Sequence, residues 1–215
     1  MAELGHIIET GGIPMIINIF FLIVSIAIVI DRIIAVFFQY NLNGHRFMGQ
    51  VEKLVVSGNI DKAVKLCNAA PKAALARVLR AGLTRANRGV LEIGNAIEEE
   101  TLAVTPHVMK RISALWSLAN IAVLVGLFGT VLGLIRAFAA VGAADPEKKQ
   151  IILTLGISEA LFNTAFGLGI AVFCIVGHLV LSSQAKSIVE DVELHSLKLE
   201  NMLSRRAISE LPEGR

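Results

Sequence analysis

Three stretches of the chain are apolar almost without interruption. The first runs from Ile13 to Ile30, broken only by Pro14, Asn18 and Ser25. The second, Ala114 to Ile135, and the third, Ala160 to Leu181, carry no formal charge, although His178 lies near the end of the third. Each is near the length of ~20 helical residues that crosses ~30 Å of hydrocarbon. Helices on a soluble protein alternate apolar and polar faces, and these do not, so the pattern predicts three membrane helices. The first is expected to be retained rather than cleaved: no Lys or Arg precedes it and no small-residue cleavage site follows, since Asp31 and Arg32 come next. It is expected to run on towards Tyr40.

Between the first two spans the period changes to that of shorter amphipathic helices. Phe47, Val51, Leu54 and Val55 predict a helix over His45–Ser57, stopped by Gly58-Asn59, and Ala63, Val64 and Leu66 predict another over Asp61–Ala69. Pro71 stands where a helix over Lys72–Arg85 can begin. From Val90 no strong breaker appears before Pro106. After the third span, Ile188, Val192, Leu199 and Met202 fall near heptad spacing over Gln184–Arg206, so that span is expected to continue as a packed helix. Leu211 to Arg215 read as a frayed end.

Composition agrees with a membrane protein. Of 215 residues, 54% are hydrophobic and 18% charged, against about 45–50% and about 25% in soluble domains. A net charge of +2 gives no case for nucleic-acid binding. Two cysteines, Cys67 and Cys174, make neither a disulfide framework nor a metal site. Positive residues set the orientation. Residues 1–12 hold no Lys or Arg, the connection from Gln39 to Ser113 holds eleven, that from Arg136 to Gln150 three, and the tail after Ser182 five. The N-terminus is therefore expected outside, the long connection and the tail inside.

Helices in lipid associate through close packing and interhelical hydrogen bonds. Ala119, Gly126, Thr130, Gly133 and Ala137 lie near one face of the second span, with Gly129 and Gly133 forming a GxxxG. Ala160, Thr164, Gly167, Ala171, Cys174 and His178 make one stripe on the third, flanked by Glu159 and Asn163. Such stripes serve close packing, but Thr130 and Thr164 also offer hydroxyls that can line a polar path or ligate a small cation. The cores of the second and third spans contain no Asp, Glu, Lys or Arg. An ion-conducting reading therefore needs a carboxylate from elsewhere. His178 and Cys174 are expected to be structural, and Glu98-Glu99-Glu100 a solvated helix face. No nucleotide, zinc-protease, hydrolase or CxxC motif is present, so an enzyme reading has no residue support.

Gly126-Leu127-Phe128-Gly129-Thr130-Val131-Leu132-Gly133 resembles the GLxGTVxG signature of the MotA/TolQ/ExbB proton-channel family. The stretch from Ile157 to Leu168 resembles its second signature, IxEALxxTAxGL. The inner connection is similar too, at Gly58-Asn59, over Ala63–Cys67 and in Val78-Leu79-Arg80-Ala81-Gly82-Leu83. Three spans fit the TolQ/ExbB branch better than the four-helix flagellar branch. The resemblance implies an all-α membrane protein that forms a ring, a homopentamer in the bacterial inner membrane with two copies of a single-span ExbD/TolR/MotB-like partner in its pore. The partner would supply a membrane Asp, and ion flow past it would drive motion, with no cofactor.

Applied to this chain, the layout is a periplasmic N-terminus (1–12), a first span (13–38), a cytoplasmic helical region (39–113), a second span (114–137), a periplasmic loop (138–150), a third span (151–182) and a cytoplasmic helix and tail (183–215). Thr130, Thr164 and Glu159 map onto the family's ion pathway. Gly126, Gly129, Gly133, Ala160, Gly167 and Ala171 would line or pack the pore. The chain departs from the family pattern at Val123 and Phe173, where Pro is common, and at Asn163, where TolQ- and ExbB-like chains usually carry Ala. An Asn oxygen could help ligate Na⁺ in place of the default H⁺. On the helix, however, Asn163 points about 100° from Thr164 and is expected to face a neighbouring subunit as packing glue. The alternative from another class is a structural membrane scaffold that does not conduct.

Overall fold

In the computed structural model, the backbone is described for residues 2–209 and the side chains for residues 12–206. Every regular element among them is helical: α1 (Ala2–Ile33), continued as a π-helix over Ile34–Tyr40, then α2 (Gly44–Val56), α3 (Ile60–Asn68), α4 (Ala74–Thr84), α5 (Val90–Met109), α6 (Ile112–Gly142) and α7 (Lys149–Ser209). Among the described residues, three helical stretches are long and apolar enough to cross a membrane, and they include the three expected spans. The expected frayed end over Leu211–Arg215 lies outside the described residues.

Several boundaries differ from the sequence reading for identifiable reasons. Gly12 has φ 64° and ψ −160°, a conformation open mainly to glycine, and it kinks α1 just before the apolar run. Pro71 sits in a turn, and α4 starts only at Ala74. Pro106 does not end α5. A proline removes one backbone donor, and the buried Val104 and Val108 on either side hold the helix together across that loss. The break comes later, where Lys110 is extended and Arg111 takes a left-handed φ of 61°. The connection expected over 138–150 shrinks, because α6 continues to Gly142 and α7 begins at Lys149.

The chain divides into two compact units, Met1–Asp31 with Arg111–Val180, and Arg32–Lys110 with Leu181–Arg215. In the second, the buried side of the α7 extension carries Ala185, Ile188, Val192, His195, Ser196, Leu199 and Leu203. Met202, expected on that face, is only partly buried, and Leu203 takes its place. Gly82 lets α4 approach closely: a Cβ there would stand 2.8 Å from a side-chain carbon of Ile97 and 3.4 Å from one of Leu199. Arg32 is buried, and its guanidinium donates to the carbonyls of His107 (3.5 Å) and Lys110 (3.3 Å), which α5 leaves unsatisfied at its C-terminus. Arg77 donates to Glu100 at 2.9 Å, while Glu98 and Glu99 are exposed. The acidic run is thus a solvated face with one ion pair.

Candidate functional site

In the membrane unit, α6 and α7 run antiparallel with their backbones almost touching. A Cβ on Gly126 would stand 2.9 Å from the carbonyl oxygen of Asn163, and one on Gly167 would stand 2.6 Å from that of Ala122. A Cβ on Gly133 would come within 2.8 Å of the Ala160 methyl carbon, and one on Gly156 would collide with that of Ala137. Small residues let the helices close to this distance, and van der Waals packing then holds them where lipid supplies no hydrophobic drive. Gly129 faces a different neighbour: its Cβ would meet Pro14 and Asn163 side-chain carbons, both at 3.0 Å. Ala171 belongs to a buried cluster with Ala119, Ala122, Ile170 and Cys174, against which Val123 and Phe166 pack. Both helices run uninterrupted past Val123 and Phe173.

This register places Thr130 against Thr164, and their hydroxyls are hydrogen-bonded to each other. The Thr130 hydroxyl also lies 3.2 Å from the carbonyl of Gly126, four residues back on its own helix, and 3.1 Å from that of Ala160 across the interface. The Thr164 hydroxyl lies 3.2 Å from the same Gly126 carbonyl. Two hydroxyls carry two protons between them, and three partners compete for those protons. The pair therefore has alternative hydrogen-bonding patterns of nearly equal geometry, and both oxygens keep lone pairs for a third party.

A cavity of about 290 Å³ is lined among others by Pro14, Gly129, Arg136, Glu159, Ala160 and Asn163; neither threonine is on its wall, but their chain neighbours Gly129 and Asn163 are. Glu159 is exposed, whereas Asn163 is only 4% exposed. The expectation that Asn163 faces a neighbouring subunit is overturned: it is buried within its own chain, against Gly129 and Pro14. The turn away from Thr164 is real, but α1 occupies the space to which Asn163 turns. Cys174 is a buried packing residue, and His178 Nδ1 is 3.0 Å from the Ile112 carbonyl with Trp116 alongside, which is a structural role. No metal-binding group of His, Cys, Asp and Glu occurs among the described residues.

Sequence reasoning passed over two polar residues of α1. Ser25 is fully buried and donates to the Leu22 carbonyl at 2.8 Å. Asn18 is 1% exposed, and neither its nitrogen nor its oxygen has a hydrogen-bond partner among the described residues. An amide within an otherwise apolar span was the available signal. Arg136, on the cavity wall, was counted only as an orienting charge.

Comparison with known proteins converges on one group. The sequence profile of the MotA/TolQ/ExbB proton channel family matches residues 70–194. A Synechocystis biopolymer-transport protein described as ExbB-like is 32% identical over 165 residues, which cover 75% of this chain and 77% of that protein. The Haemophilus influenzae Tol-Pal system protein TolQ is 32% identical over 102 residues, 47% of this chain and 44% of TolQ. The Vibrio cholerae biopolymer transport protein exbB1 is 39% identical over 79 residues, 37% of this chain and 34% of that protein.

Proposed function

Since the chain belongs to the MotA/TolQ/ExbB proton channel family, in its TolQ/ExbB branch, we propose that it is the ion-conducting stator subunit of a bacterial inner-membrane motor, converting the proton motive force into mechanical work on the envelope. The observation that carries the reading is the Thr130–Thr164 pair, set between two helices whose apolar cores hold no formal charge. A pair of hydroxyls can pass or ligate an ion but cannot by itself bind and release a proton near neutral pH. The titrating carboxylate then comes from a single-span ExbD- or TolR-like partner. Five subunits around two partner helices would bring five threonine pairs to the central pore. The N-terminus is periplasmic and the α2–α5 region cytoplasmic, as the Lys/Arg distribution favours. A drop of ~100 mV supplies ~2.3 kcal/mol per charge, so a few ions suffice to rearrange a packed helix bundle.

The test is co-expression with such a partner, native mass spectrometry of the complex and proton uptake by proteoliposomes under an imposed potential. A five-to-two complex that takes up protons supports the reading. A stable monomer, or a ring that stays proton-tight with its partner bound, supports the scaffold instead.

A further inference from the structure

Asn18 is the one fully buried carboxamide of α1, and its surroundings are specific. Its nitrogen stands 3.3 Å from where a Cβ on Gly167 would lie, so it faces α7 at a position without a side chain. Gly167 in turn abuts Gly126, and a Cβ on Gly126 would stand 3.3 Å from the Cα of both Gly167 and Thr164. The next layer of the three-helix junction is Pro14, Gly129 and Asn163, all on the wall of the cavity. Pro14 is one helical turn from Asn18, and Asn163 one turn from Gly167, so the two layers stack along one face. Asn18 thus occupies the layer between the cavity wall at Asn163 and the apolar cluster around Cys174, one helical turn from the layer of Gly129 and Asn163, the residues that precede the two threonines in sequence.

A carboxamide offers two donors and two acceptor lone pairs. In hydrocarbon an unsatisfied polar group is costly, and buried polar groups lacking protein partners are satisfied by bound water. We propose that Asn18 binds water in the membrane unit, continuing the polar cavity past Asn163 by one helical turn alongside the α6–α7 interface that holds the threonine pair, so that α1 contributes a residue to the ion path. Its role in conduction rests on the stator reading, but the bound water does not. Asn18 needs only the amide geometry and the polar wall that Asn163 and Glu159 already provide.

The experiment uses the complete complex in a background with Cys67→Ala and Cys174→Ala. Silver ion reacts with thiols that water reaches and spares those in lipid, because the thiolate is the reactive form. Asn18→Cys is expected to react at a rate near that of Glu159→Cys in the cavity and at least about tenfold faster than Ile17→Cys on the exposed apolar face of α1. Reaction no faster than Ile17→Cys overturns the proposal. In proteoliposomes, Asn18→Leu, similar in volume and without polar atoms, is expected to lower proton uptake about tenfold while the complex melts at the same or a higher temperature. Asn18→Ser is expected to keep most of the uptake. Unchanged uptake in Asn18→Leu removes Asn18 from the path, and a lowered melting temperature with normal uptake marks a packing role instead. If Asn18→Leu does not assemble, the labelling decides. Should the native complex stay proton-tight with its partner bound, the stator reading fails, while silver labelling still decides the hydration of Asn18.

Discussion

Thr130 and Thr164 share an acceptor: each hydroxyl oxygen lies 3.2 Å from the carbonyl oxygen of Gly126, one within its own helix and the other across the interface. The sharing is possible only because Gly126 and Gly167 let the two backbones meet. It ties the chemistry of the site to the packing that builds it, and the two can be separated by substitution.

Thr→Val keeps the side-chain volume and removes the hydroxyl. A net contribution of about 1 kcal/mol per lost hydrogen bond is small beside the packing of two long helices. Thr130→Val and Thr164→Val are therefore expected to assemble normally and to lose most proton uptake. The check is native mass spectrometry alongside flux on the same preparation; assembled variants with full flux would exclude the hydroxyls from the path.

The glycines behave differently. A methyl on Gly167 would strike the Ala122 carbonyl and one on Gly156 the Ala137 methyl, and backbone cannot swing aside. Gly167→Ala and Gly156→Ala are each expected to destabilise the membrane unit by about 1–3 kcal/mol, the range for overpacking. Gly169, with nothing within 4 Å of its would-be Cβ, serves as control. Gly169→Ala is expected to be neutral or slightly stabilising in thermal melts of the detergent-solubilised complex.

Glu159 and Asn163 both line the cavity, the first exposed and the second buried. Glu159→Gln is expected to reduce uptake partially, since the carboxylate gathers cations without being the only route. A sodium-driven motor would require several oxygens to replace the lost hydration of the ion. Flux measured with and without sodium at fixed potential is expected to be the same in the native protein and in Asn163→Ala. Sodium dependence that disappears in the variant would instead assign the site to Na⁺.

His195 lies in the other unit, 4% exposed, with its ring 2.9 Å from where a Cβ on Gly44 would be. Burial holds its pKa below 6.5, helped by Lys198 and His45 and opposed by Asp191. The folded ring stays neutral while the unfolded chain takes up a proton, so stability is present above pH 6.5 and is lost as pH falls from there through the lower folded value. Hydrogen exchange of α2 and the α7 extension, corrected for intrinsic rates, is expected to quicken from pH 7.5 to 5.5. His195→Gln is expected to flatten that dependence.

The three spans, the helical interior segments and the unbroken α7 were legible in the chain because hydrophobic period and length are local quantities. So was the small-residue stripe, since a membrane helix that carries glycine every three or four residues has few other uses for it. The signature residues Thr130 and Thr164 could be named from sequence, but their hydrogen bonding could not. Contact between them depends on a register set jointly by Gly126, Gly133, Gly156 and Gly167, and Gly156 escaped notice. Pro106 misled because a helix boundary is decided by the packing on either side and not by one missing donor. Asn163 misled, and Asn18 was overlooked, for a single reason. A helical wheel fixes the direction in which a side chain points, but only the position of α1 against α6 and α7 determines what it meets there. In a membrane, that neighbour decides whether a buried amide joins helices or holds water.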